Sequence, residues 1–392
     1  MKKLLQINVT ANWGSTGKIA EAIGQMAVSD GWESFVAYGR MANLSSSELI
    51  QVGKKIDTYI HYLYDRLFDR EGLSSKAATK ALVKHIEAIA PDIIHLHNIH
   101  DHYLNYQILF EYLNQTDIKV VWTFHDCWAF TGHCYHFVQV NCMKWVDQCY
   151  DCIQKHKFID RSRENYLLKK SLFNSCKNLT IVSCSEWMNN FVKKSFLKDK
   201  PIRVIHNGVD LSIFRILPES RSYDDKFRVL AVSNVWTLSK GLDDIYRLRS
   251  LLNNDFVITI VGLSIDQIKR IPEGIEGLPR TKSVQELVQL YNKADVLINP
   301  TYADTFPTVN LEALACGTPV ITYRTGGSPE AIDEKTGVII EQGDVQSLAQ
   351  AIKGLRENPF LREDCRARAE ECFDKDKCFK KYIELYDNIL TE

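Results

Sequence analysis

The feature that most constrains this chain is an alternation. Short runs of β-branched and other apolar residues, each long enough for one strand, take turns with longer segments of helical periodicity. In the first half the candidate strands are residues 4–9, 34–38, 93–97, 120–124, 179–183 and 203–205. Between them lie helical patterns at 18–29 and 76–89, the latter stopped by Pro91. Alternation of this kind argues for parallel sheets with helices on both faces.

The pattern breaks once. Residues 206–226 open on the turn signal Asn207-Gly208-Val209-Asp210 and continue through a polar, nonperiodic run. A second series follows, with strands expected at 227–232, 256–261, 296–299, 320–323 and 338–340. At ~150 residues per domain, a chain of 392 residues has room for two large domains. The reading is therefore α/β, with two Rossmann-like domains whose parallel sheets face a central cleft. It assigns 1–205 to the first domain, 206–226 to a linker and 227–374 to the second. Residues 375–392 form a helix, apolar at Tyr382, Leu385, Tyr386 and Leu390, that returns to the first domain.

Composition narrows the function classes. Hydrophobic residues at 45% and charged residues at 25% exclude a disordered tail, a collagen-like chain and a coiled-coil rod. A net charge of −1 supplies no global field toward nucleic acid, so none is expected as a partner. No apolar stretch approaches the ~18–20 residues that span a bilayer. The first residues, whose apolar run is broken by Gln6 and Asn8, read as a buried strand rather than a signal peptide, and the expected compartment is the cytoplasm. Residues 155–203 carry twelve Lys or Arg against four Asp or Glu. That excess is either a solvated helical surface or a patch resting on the inner face of the cell membrane, where each cation is worth ~1 kcal/mol.

Two places carry chemistry. The first is Asn12-Trp13-Gly14-Ser15-Thr16-Gly17-Lys18, between a strand and a helix, where glycines let backbone N–H groups approach an anion. It is not a nucleotide-hydrolysing P-loop, because Asn12 and Ile19 stand where that motif needs Gly and Ser or Thr. A merely structural turn remains the competing reading. The second runs from Asp304 to Glu312. A helix beginning near Pro307 or Thr308 and ending at Gly317 puts Asp304 in the loop above a strand and Glu312 one turn into the helix. Both carboxylates then face one pocket, beside the free N–H groups of Thr308, Val309 and Asn310. Carboxylates for hydroxyls beside amides for an anion fit a nucleotide sugar.

These motifs, with Thr325-Gly326-Gly327-Ser328-Pro329-Glu330, the turn at 207–210 and the run from Val232 to Gly241, resemble glycosyltransferase family four. The likeness is strongest to bacterial enzymes that build capsule, O-antigen or exopolysaccharide units, and it runs from the first strand to the last helix. It implies the two-domain fold called GT-B, with 1–205 binding the acceptor and 227–374 the nucleotide sugar, and a retaining hexosyltransferase that needs no cofactor for catalysis. The donor is a UDP- or GDP-linked sugar, and the acceptor is a glycan or a polyprenyl-linked oligosaccharide.

Carried onto this chain, the resemblance implies that Glu312 binds the donor ribose and Asp304 the hydroxyls of the transferred sugar. Lys240 pairs with the diphosphate, helped by the backbone of Gly14, Ser15, Thr16, Gly17, Thr308 and Val309. His125 sits over the donor sugar; His97 and Asn98 line the acceptor side. Two departures stand out. Most relatives have Glu where this chain has Asp304, and an Arg shortly before the Lys of Lys240-Gly241, whereas residues 232–239 hold none. Lys18, Lys282 and Arg324 are the candidate replacements. The departures also admit a second reading, a catalytically weak nucleotide-sugar-binding or partner subunit.

Two clusters remain. His95, His97, His100 and His102 are read as hydrogen-bonding groups rather than metal ligands, because strand alternation spreads them over two faces. Cys134, Cys142, Cys149 and Cys152 hold the donors for a structural, non-catalytic zinc ion, the last pair at knuckle spacing; the competing reading is reduced buried thiols.

Overall fold

The computed structural model describes residues 1–155, 159–218 and 225–392. Residues 156–158 of the basic segment and 219–224 of the expected linker lie outside the described residues. The chain divides into two units, Met1–His206 with Phe379–Glu392, and Asn207–Cys378.

The first unit is built on strands β1 (Lys3–Asn8), β2 (Glu33–Tyr38), β3 (Glu48–Gln51), β4 (Ile93–Leu96), β5 (Lys119–Phe124), β6 (Leu179–Ser183) and β7 (Ile202–Val204). They form one parallel sheet in the order β3-β2-β1-β4-β5-β6-β7. Strands β4 and β6 are buried along their whole length, the pattern of a sheet covered on both faces. The final helix, Lys375–Thr391, contributes to this unit from Phe379 onward. Its buried Tyr386 places Oη 2.6 Å from His95 Nδ1, and Tyr382 Oη lies 3.1 Å from Thr123 Oγ1.

The second unit holds β8 (Phe227–Val232), β9 (Phe256–Val261), β10 (Ile275–Leu278), β11 (Val296–Asn299), β12 (Val320–Tyr323) and β13 (Gly337–Ile340). These too are all parallel, in the order β10-β9-β8-β11-β12-β13. In each sheet the strand order reverses beside the unit's first strand, between β1 and β4 and between β8 and β11. Loops leaving the carboxyl ends part there and leave a crevice for ligand.

The structure adds β3 and β10, which the sequence pattern does not reveal. Each is four residues long, lies at a sheet edge and carries glutamate, so it offers no apolar run. The expected linker is not a free tether over its described first part. Val209 N–H donates to Phe373 O at 2.8 Å, Leu217 N–H donates to Asn292 Oδ1 at 2.8 Å, and Lys375 Nζ pairs with Asp210 at 2.5 Å.

Nor is the basic segment wholly a surface. Lys169 is buried and donates to the carbonyls of Trp128 and Thr131, and Lys200 donates to those of Asn174 and Cys176. Among the described residues no helix is long and apolar enough to cross a membrane.

Candidate active site

The residues singled out in the first unit meet at the carboxyl ends of β1, β4 and β5. After β1, the helix Gly14–Ser29 starts without a side-chain cap. Its first N–H groups, those of Gly14, Ser15 and Thr16, find no acceptor among the described residues. Gly17 is glycine for packing: a Cβ there would lie 2.6 Å from Thr10 Oγ1. Asn8, the last residue of β1, ties the loops together. Its Nδ2 donates to Thr10 O at 2.8 Å and to Thr16 Oγ1 at 3.4 Å, while its Oδ1 accepts from the Asn98 N–H at 3.3 Å.

Beside Asn8 runs a chain of neutral rings. Gln6 Nε2 donates to Ala20 O at 2.7 Å, which leaves Gln6 Oε1 to accept from His97 Nε2 at 3.0 Å. His97 Nε2 therefore carries the proton and Nδ1 the lone pair. His125 Nε2, 3.0 Å from that Nδ1, must then be the donor. Burial holds both rings neutral, with His97 well below its ordinary range and His125 lowered to about 4. The His97 ring is buried with both nitrogens engaged, one on Gln6 and one on His125.

His95 also lies within the fold, between Thr123 and Tyr386. His100 pairs with Asp126 at 2.9 Å and His102 with Asp65 at 3.1 Å. The four histidines thus have four separate sets of partners, as the hydrogen-bonding reading requires.

The residues singled out in the second unit meet at the carboxyl ends of β8, β11 and β12. Lys240 ends a 3-10 turn after β8, and its Nζ lies 2.7 Å from Asp304 Oδ2 and 3.3 Å from Ala303 O. Neighbouring Gly241 is left-handed at φ 76°, and a Cβ there would meet Pro300 O at 2.0 Å, so the backbone itself draws Lys240 onto the β11 loop. Gly326 closes the other wall. At φ 56° its absent Cβ would fall 1.7 Å from Asp304 O, and Gly327 N–H donates to Thr305 O at 2.9 Å.

Glu312, half-buried in the helix Thr308–Ala315, accepts from Tyr291 Oη at 2.8 Å. The N–H groups of Thr308 and Val309 have no acceptor among the described residues, and no side chain caps that helix. Asn310 is a correction. Its N–H turns back to Pro307 O at 3.3 Å and its buried side chain holds Asn299 and Ser328, so it braces the loop instead of offering a free donor. Of the cations proposed to replace the missing Arg, Arg324 forms an exposed ion pair with Glu341 at 2.6 Å.

The cysteine cluster is also rearranged. Cys134 and Cys152 come together at 3.8 Å between sulfurs, with His133 Nε2 3.1 Å from Cys152 Sγ. Cys149 Sγ instead accepts the Gly132 N–H, and Cys142 packs against the hydrophobic core of the first unit. His133 escaped the sequence reading, although it directly precedes Cys134.

Comparison with known proteins supplies the family. A family model described as Glycosyltransferase Family 4 matches residues 22–213, and one described as Glycosyl transferases group 1 matches residues 226–358. WcaC of Escherichia coli (strain K12), provisionally named a colanic acid biosynthesis glycosyl transferase, is 23% identical over 98% of this chain and 100% of its own. Among solved structures, sucrose-phosphate synthase from Thermosynechococcus elongatus superposes over 100% of both chains with a TM-score of 0.77 at 17% identity. Anabaena Alr3699/HepE in complex with UDP-glucose covers 99% of this chain and 100% of its own, with a TM-score of 0.67 at 15% identity.

Proposed function

From the premise that the chain belongs to glycosyltransferase family four and has its GT-B fold, we propose a retaining transfer that needs no metal ion. A sugar leaves a UDP- or GDP-linked donor for a glycan or polyprenyl-linked acceptor in cell-surface polysaccharide biosynthesis. The observation that carries the reading is the contact of the Lys240 ammonium with the Asp304 carboxylate, in the loop that leads into an uncapped helix start carrying Glu312.

Each group has a task. Glu312, oriented by Tyr291, accepts hydrogen bonds from the ribose. The N–H groups of Thr308 and Val309, at the positive end of their helix, take phosphate oxygens. Lys240 exchanges the Asp304 carboxylate for the diphosphate, which releases Asp304 to the hydroxyls of the transferred sugar. Breaking the bond from sugar to phosphate builds negative charge on the leaving group, which Lys240 and the helix amides stabilise. The leaving phosphate takes the acceptor hydroxyl's proton on the same face of the sugar, so no carboxylate nucleophile is needed. His125, neutral and donating from Nε2 to His97, presents a ring of set orientation to the sugar, with Asn98 on the acceptor side.

The UDP named in the HepE complexes supports a uridine donor. The helix Lys55–Phe68, which exposes Ile56, Tyr59, Ile60, Leu63 and Leu67, supports a lipid-linked acceptor taken from the inner membrane face.

Lys240→Ala tests the reading. Transfer from a nucleotide sugar is expected to fall ~10²–10³-fold while the protein stays folded. Wild-type turnover is expected to be the same whether Mg²⁺ or Mn²⁺ is added or withheld. Full transfer by a folded Lys240→Ala variant overturns the proposal, and so does donor hydrolysis that is absent in the wild type, which is the behaviour of a mere binding subunit.

A further inference from the structure

We infer that His133, Cys134 and Cys152 ligate a structural transition-metal ion of the zinc type, with Cys149 as the fourth donor. The three leading donor atoms all lie within 4.8 Å of one another. Two thiolates on a tetrahedral ion at ~2.3 Å each stand ~3.8 Å apart. Cys134 and Cys152 hold that spacing, with sulfurs 3.8 Å apart.

The imidazole is prepared from behind. His133 Nδ1 lies 3.0 Å from Asp69 Oδ1, and a carboxylate on the far nitrogen sets which nitrogen faces a metal. Asp69 is itself held, because its Oδ2 accepts the Arg161 N–H at 2.7 Å. Cys149 stands next to the group. Its Sγ accepts the Gly132 N–H at 3.2 Å, one residue from His133, and Cys-x2-Cys spacing joins it to Cys152. One nitrogen with three sulfurs suits zinc and its softer relatives, whereas magnesium and calcium take oxygen.

The fold gives the ion a purpose. From Phe124 to Ser162 the described chain has only three single-turn 3-10 helices, and a stretch this long without regular structure needs another source of order. An ion joining residues 133–134 to 149–152 closes that stretch on itself. Through Asp69 it also fastens the stretch to the end of the helix Lys55–Phe68. The segment starts at His125, so the ion braces the loop that carries that ring without touching substrate.

The test is metal analysis of the full chain purified under reducing conditions. About one zinc per chain is expected, lost in Cys134→Ser and Cys152→Ser and retained in Cys316→Ser. Because the serine variants risk misfolding, wild-type protein exchanged with Co²⁺ supplies an independent reading. Tetrahedral visible bands with thiolate charge-transfer absorption support the site. Stoichiometry below a tenth of an ion after incubation with zinc, an octahedral cobalt spectrum, or a Cys134–Cys152 disulfide in nonreduced peptide maps overturns it.

Discussion

The two sheets share their strand logic and differ in what they place at the carboxyl edge. At the first edge Gln6, His97 and His125 form a chain of neutral hydrogen bonds, with Gln6 and His97 buried and His125 half-buried. At the second, the Lys240 ammonium and the Asp304 carboxylate touch while remaining 30% and 23% exposed. An ion pair open to water is weakly held and readily exchanged for a charged ligand. A buried neutral network is costly to rearrange. One scaffold thus carries an exchangeable ion pair at one edge and a fixed neutral network at the other.

Titration is the largest lever on that difference. All eleven histidines lie in residues 1–206 and none follows. Burial lowers His61 and His125 to about 4 and drives His95 and His97 well down. Burial also pulls on His102, but hydrogen bonds to Asp101 and Asp65 outweigh it and hold the ring up at about 9. The unfolded chain, near 6.5, binds protons that the lowered rings refuse. Their stabilisation is complete above pH 6.5 and drains away toward pH 4, by up to ~3 kcal/mol for each of His61 and His125. His102 has the opposite sign: its contribution is complete below pH 6.5 and is lost as pH rises through 9. Hydrogen exchange at pH 5, 7 and 9 is expected to show β1–β7 loosening at both extremes. Equal loosening of β8–β13 breaks the comparison.

Next in size is a pair of glycines, one at each edge. Gly326→Ala forces a Cβ onto Asp304 O at φ 56°, whereas Gly14, at φ 67°, has nothing within 4 Å of its missing Cβ. Left-handed strain applies to both, and overpacking only to the first. Gly326→Ala is expected to cost ~3–5 kcal/mol and abolish the thermal shift given by UDP; Gly14→Ala is expected to cost ~1–2 kcal/mol and keep it. Similar losses in thermal melts would mean that the second wall is not set by close backbone approach.

The same contrast explains what was legible in the sequence. Asp304, Thr308 and Glu312 lie within nine residues, so the end of one strand and the first turn of one helix place them, and local pattern suffices. The parallel sheets were legible for the same reason, each buried strand being its own apolar run. The first edge joins residues 91 and 28 positions apart, distances that no local period encodes. One trace existed: Gln6 interrupts an apolar strand, and an amide in a strand covered on both faces must find a partner. His133 left a similar trace beside Cys134. The Asn310 N–H was misjudged because the free donors of a helix start were counted without the turn that bends one back to Pro307.

Gln6→Leu is the smallest and most discriminating change. It leaves the His97 Nε2–H buried without an acceptor, a loss of ~1–3 kcal/mol. The ring escapes that cost by moving its proton to Nδ1, and His125 then loses the acceptor that fixed its own proton on Nε2. ¹⁵N spectra of selectively labelled histidine are therefore expected to show His125 changing tautomer in Gln6→Leu, with transfer reduced through kcat and donor binding unaltered. Gln6→Glu restores an acceptor and is expected to restore the wild-type tautomer, which separates the relay from simple packing. A His125 resonance pattern identical in Gln6→Leu and wild type would show that the first edge is ordered by burial alone, and that its neutrality, unlike the charge of the second edge, carries no positional information.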